Sequence, residues 1–366
     1  MKSLFALGFR PFYLLAGAYA ALAVPLWAVR YAGWLPGADP MWHPHEMIFG
    51  YAFAVIAGFL LTAVRNWTAQ PTPTGALLAA IAALWIAARC LSFYSILLSG
   101  IADALFALAL AWGIGRPIVK SGNRNWFFIL LVLALGAASV AFSAFPGTAP
   151  AAALDLVLFI IAVMAGRVVP AFTNSAIPGA GARRIQWIEY GALGGVLVLL
   201  LLDLSSLEKA ASAVALACAA LHAVRVALWA PLKTRGRPIL WILHLSYAWI
   251  VVHLVLRGIA GFGLIPAVLA VHALTIGTIG GLTLGMMTRT SRGHTGRPLA
   301  TGLAELAAYL MVHAAAVVRV FLPLVAPGAY AASIVLSAAL WCAAYLVFVV
   351  AYYPILTEPR VDGREG

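Results

Sequence analysis

Trp126-Phe127-Phe128-Ile129-Leu130-Leu131-Val132-Leu133-Ala134-Leu135-Gly136-Ala137-Ala138-Ser139-Val140-Ala141-Phe142-Ser143-Ala144-Phe145 is a run without a charged side chain. As an α-helix rising about 1.5 Å per residue it reaches about 30 Å, the thickness of the hydrocarbon core of a bilayer. Comparable runs follow one another almost without a break, at residues 8–30, 46–65, 75–95, 97–115, 126–145, 150–169, 185–203, 209–230, 238–257, 265–287, 300–322 and 329–354. In lipid only a helix satisfies its own backbone polar groups over such a length, so the sequence predicts an all-α, polytopic membrane bundle. About twelve transmembrane helices are expected, forming a single transmembrane domain over residues 1–366. Composition agrees: 64% of the residues are hydrophobic and 9% charged, the mean hydropathy is +1.01, and soluble domains carry roughly 25% charged residues. A water-soluble fold is excluded. The first run is too long for a signal-peptide core and lacks a small-x-small cleavage site, so it is retained as a span.

The formal charge of +12 does not point to nucleic acid, because the basic residues sit in short loops between apolar runs, where the positive-inside rule accounts for them. With the N-terminus in the cytoplasm, 18 of the 23 basic residues, from Lys2 to Arg364, fall on the cytoplasmic side. Arg30, Arg89, Lys209, Arg257 and Arg319 fall toward the outside. Both termini are therefore expected to be cytoplasmic. Pro and Gly punctuate the joints, as in Leu35-Pro36-Gly37, Gln70 to Gly75 and Ile177-Pro178-Gly179. Gly-Arg-Pro occurs at 115–117, 236–238 and 296–298, and two of the three copies are expected to open a helix with Pro in its first turn. Cys90, Cys218 and Cys342 show no CxxC spacing and are expected to be buried packing thiols.

The eight histidines separate by depth on this topology. His43, His45, His253, His272 and His313 form an outer group, and His222, His244 and His294 an inner group. An imidazole in lipid must turn its ring nitrogens toward a partner, and it also ligates haem iron and copper, so convergence at one depth suggests a metal or redox centre. Trp42-His43-Pro44-His45-Glu46-Met47 is the densest cluster. In an irregular segment the two imidazoles could share one copper, while Glu46 holds a ligand ring or passes protons; an interfacial cap with histidines facing water is the structural alternative. His272 to Met287 reads as a Gly- and Thr-lined helix that a flat macrocycle or a neighbouring helix could approach closely. His43, His45 and His272 are first metal candidates, with His222 and His244 as further ones; His222, His244, His294 and Arg297 are candidates for holding a cofactor.

Arg89 and Asp103 are expected to pair across a hairpin. Asp155, without an obvious partner, could serve a proton path, as could Glu189 and Glu305, each of which could equally bind an arginine. Tyr247, three residues after His244 and so on the same helical face, could donate a proton or electron to a bound centre or simply pack.

Several stretches together resemble the NnrS family: Gly8 to Tyr13, Trp42 to Gly50, Phe59 to Thr68, Gly166 to Asn174, Trp241 to Trp249, and His272 to Arg297 with its Gly293-His294-Thr295-Gly296-Arg297 ending. The resemblance runs nearly end to end and covers every histidine except His253 and His313. It implies a protein of the bacterial inner membrane carrying haem and copper, associated with nitric oxide metabolism, denitrification and relief of nitrosative stress; haem b is the form expected here. It supplies no ligand set. The expected ligand is nitric oxide or another small diatomic, within reach of membrane lipids and with quinol as a possible electron donor. Whether this would be a membrane oxidoreductase or a binding protein is left open by the residues. The alternatives are a secondary transporter or metal permease with a midplane substrate site, and a structural partner of a respiratory complex.

Overall fold

A computed structural model describes residues 3–36, 39–145 and 149–364; the expectations placed on Lys2 and Gly37 lie outside the described residues. Every regular element among these residues is helical. Among the described residues twelve helices are long and apolar enough to cross a membrane: α1 (Phe9–Tyr31), α2 (Trp42–Thr68), α3 (Gly75–Ser92), α4 (Ile96–Lys120), α5 (Arg124–Ala144), α6 (Ala149–Ala176), α7 (Gln186–Leu204), α8 (Glu208–Leu228), α9 (Pro238–Gly261), α10 (Ala267–His294), α11 (Leu303–Val325) and α12 (Pro327–Thr357). Each coincides with one predicted span.

The helices divide by depth of burial. In their most apolar windows α2 and α6 are 83% buried and α9 and α10 67%, whereas α7 is only 28% buried. The first four form the centre, and the lipid-facing helices wrap them. Neighbours in sequence pack as hairpins, α3 on α4, α4 on α5, α8 on α9 and α11 on α12, and α12 returns to α1 to close the bundle.

Two central helices are not regular throughout. In α2, residues Glu46–Ala52 are π-helical, and in α10 residues Ala273–Gly280 are. A π turn carries one extra residue per hydrogen-bonded ring, so it redirects the side chains around it, and such turns recur at functional sites. Side chains from neighbouring helices bond the backbone there: Trp85 Nε1 donates to the Gly50 carbonyl at 2.9 Å and the Tyr345 hydroxyl to the Gly280 carbonyl at 2.9 Å. Glycine is required where the neighbours come closest. A Cβ on Gly277 would stand 2.4 Å from the Trp249 ring, and one on Gly280 2.4 Å from the Trp341 ring.

Several local expectations change. α2 begins at Trp42, so His43 and His45 lie within a helix and not in an irregular join. Pro238 opens α9 as expected, but Pro298 lies in the loop before Leu303 and Pro117 is inside α4, so only one Gly-Arg-Pro copy starts a helix. Cys218 is buried, whereas Cys90 is exposed on the bundle surface and Cys342 is half-buried, because α3 and α12 turn those faces outward.

Candidate functional site

Near the loop joining α1 to α2, residues of α2, α6 and α10 line a partly open cavity of about 330 Å3 that α1, α11 and α12 complete. Its walls are mostly apolar, including Val24, Leu154, Val157 and Ile276, with Trp27, Tyr51 and Trp341 adding aromatic faces. His43, His272 and Arg319 bring nitrogen to it, and Met47 a thioether.

His43 comes from the first turn of α2, stacked on Trp27 with ring centroids 4.4 Å apart and planes at 26°. Its Nδ1 is buried without a hydrogen-bond partner. His272 ends the α-helical turn just before the π segment of α10. Its Nδ1 lies 2.7 Å from the Val268 carbonyl, which can only accept, so Nδ1 carries the proton and Nε2 keeps its lone pair. A backbone carbonyl fixing one ring nitrogen in this way is how a protein presents the other nitrogen to a metal.

His45 is directed elsewhere. Successive helical residues turn by about 100°, so positions i and i+2 diverge by about 200°, and one copper cannot take both rings from this helix. His45 is fully buried among carboxylates instead: Nδ1 is 2.8 Å from Glu46 Oε1 and Nε2 is 3.1 Å from Ser139 Oγ. Arg89 donates to Glu46 at 2.7 Å and also to Asp103, the hairpin pair expected from the sequence, while Ser139 donates to Asp103 at 2.9 Å and Tyr19 donates to Glu46. Glu46 is thus an anchor of a polar cluster drawn from five helices, α1 to α5.

The other histidines do not join the cavity. His253 is held by the Ala270 carbonyl at 2.8 Å, and His313 faces Ser246 at 3.5 Å. The inner group is dispersed as well. His222 Nδ1 meets the Tyr247 hydroxyl at 2.7 Å and its Nε2 the Ala192 carbonyl at 3.3 Å. Tyr247 also accepts from Arg225 Nη1 at 2.6 Å, and Arg225 grips Glu189 through Nε and Nη2 at 2.9 and 2.7 Å. His244, on the Tyr247 face of α9 as expected, contacts Thr173 Oγ1 at 2.9 Å and leaves Nδ1 buried and unpartnered. His294 packs against Phe9, ring centroids 5.6 Å apart, and Arg297 reaches Glu358 at 3.7 Å. Among the described residues no three His, Cys, Asp or Glu side chains are grouped so as to hold a metal. The expected convergence of five outer imidazoles reduces to two, because helical rotation sends the others into separate local contacts.

Asp155 is not unpaired: Arg257 bridges it to Asp203, at 2.8 and 2.6 Å. Glu305 binds Arg292. Arg319 and Trp27 are cavity residues that were not among the candidates expected from the sequence. Arg319 carried a signal, being an arginine inside an apolar run with no nearby acidic residue in the sequence; Trp27 carried none.

The donor set suits a haem or copper. Two imidazoles from separate helices line the cavity, a thioether is adjacent, the walls are apolar, and a guanidinium stands ready for an anionic group. Fold and cavity together define a polytopic helical membrane protein with a histidine-lined intramembrane chamber. A family model described as NnrS protein matches residues 3–360, and the chain belongs to the NnrS family, which ties it to the response to nitric oxide. No curated protein matches it.

Proposed function

We propose that the chamber between α2 and α10 is where this protein binds nitric oxide, with His43 and His272 holding a haem b or copper centre. The carrying observation is that each imidazole stands beside a π-helical distortion in a different central helix and that both line one apolar cavity, His43 with Nδ1 unpartnered and His272 with Nδ1 tied to a carbonyl. When bound, a copper, or a haem iron held by one of the two imidazoles, would offer a coordination position to a small diatomic and the capacity to pass an electron. Trp27 fixes the plane of the His43 ring, and Val268 fixes the tautomer of His272. The apolar walls suit a gas that partitions into hydrocarbon, so no aqueous channel is needed for its entry. The Glu46 cluster, rooted in the same π segment, holds α2 against α3 and α4 and so sets the position of His43. A bacterial inner membrane, cytoplasmic termini and a quinol donor complete the proposal, the first two resting on family and loop charge.

The test is an optical spectrum of the reduced, purified protein with and without nitric oxide, together with metal analysis. Wild type should show a nitric-oxide-sensitive Soret band or bound copper. His43→Ala and His272→Ala should each lose metal or shift the band, while His313→Ala should not. Unchanged spectra and metal content in both cavity variants would sink the assignment.

A further inference from the structure

Arg319 is 3% exposed. Its Nη2 donates to the Tyr330 hydroxyl at 3.1 Å, its guanidinium lies 4.8 Å from the centre of the Tyr330 ring, and its Nη1 is buried with no partner. Arg89, Arg225, Arg257 and Arg292, also within the bundle, each pair with a carboxylate. Among the described residues none pairs with Arg319, and no Asp or Glu lines the cavity it faces. An uncompensated guanidinium in an apolar interior is costly, and an unsatisfied donor beside it adds to the cost. A cavity at the same place offers room for the missing partner.

We propose that Arg319, steadied by Tyr330, is a seat for one planar O–X–O anion inside the chamber. The guanidinium fork matches such a group through two parallel N–H donors, which an ammonium cannot do. Two sources share this chemistry: a side-arm carboxylate of a haem in the chamber, which rests on the functional reading above, and a free oxyanion such as nitrite, which does not.

The full-length protein in detergent decides between them, as wild type, Arg319→Gln and Arg319→Lys, each checked for unchanged size and thermal unfolding. One arm titrates metal-free protein with sodium nitrite and sodium formate by calorimetry. The other compares retention of haem b with that of its dimethyl ester, in which the carboxylates are blocked. A free-anion seat should bind nitrite or formate in wild type, with affinity lowered about tenfold or more in Arg319→Gln and less in Arg319→Lys, which keeps the charge but not the fork. A side-arm seat should retain haem b over the ester in wild type and lose that preference in Arg319→Gln. If Arg319→Gln fails to fold, Arg319→Lys carries both arms. The proposal falls if the variants match wild type in both arms, or if wild type neither binds the anions nor distinguishes haem b from its ester. Should no haem load at all, the functional reading loses its haem, and the anion titration alone upholds or overturns the seat.

Discussion

Arg89 of α3 bridges Glu46 of α2 and Asp103 of α4, and all three are buried. Removing a single partner from a buried ionic group leaves the others charged without compensation, at roughly 3–5 kcal/mol. Arg89→Leu should therefore lower thermal stability sharply and disturb the chamber, because Glu46 opens the π segment that follows His43. Arg225→Leu should also destabilise, by freeing Glu189, yet leave any spectrum arising from the chamber unchanged, since it lies among Tyr247, His222 and Glu189 and not at the cavity. Thermal unfolding and an optical spectrum on both variants check the pair; a spectrum disturbed by Arg225→Leu and not by Arg89→Leu would mean that the inner network, not the chamber, holds the centre. At this scale the sequence was a partial guide. Depth and residue type marked the histidines, and hairpin proximity marked Arg89 with Asp103. It could not separate His43 from His45, because a two-residue offset becomes a divergence of about 200° only once α2 is known to start at Trp42.

The two π segments are where a helix yields to its neighbours. Gly277 and Gly280 let Trp249 and Trp341 lie against the backbone of α10. Gly277→Ala would drive a methyl group into the Trp249 ring, and overpacking of this kind costs about 1–3 kcal/mol. A lower unfolding temperature and an altered ligand spectrum are expected together, since the displaced segment follows His272 directly. Gly194→Ala in α7, where an added Cβ meets nothing within 4 Å, is the control and should lose no stability. If both substitutions behave alike, the close approach does not matter. The glycines were visible in the sequence as a feature fitting either helix packing or a macrocycle. The π geometry was not, because choosing an i+5 bond over an i+4 bond depends on indoles and hydroxyls supplied by α3, α9 and α12.

For the molecule as a whole, the order of spans sets which loops share a side, and the basic residues then predict which side is cytoplasmic. Ser121→Cys, after α4, should react with a membrane-impermeant maleimide only once cells are lysed. Ser205→Cys, after α7, should react in intact cells, both in a background with Cys90, Cys218 and Cys342 replaced. The reverse pattern would invert the topology and put the chamber at the cytoplasmic end.

Span number and helical class followed from the sequence alone, because the transfer of an uncharged run of about twenty residues into hydrocarbon is a local property, summed along the chain without reference to neighbours. The chamber did not. Which imidazoles line one cavity, which buried arginines lack a carboxylate and where two central helices loosen into π turns depend on rotation about helix axes, and that rotation is set by side chains distant in sequence. Packing of α2, α6 and α10 against their surrounding helices decided it.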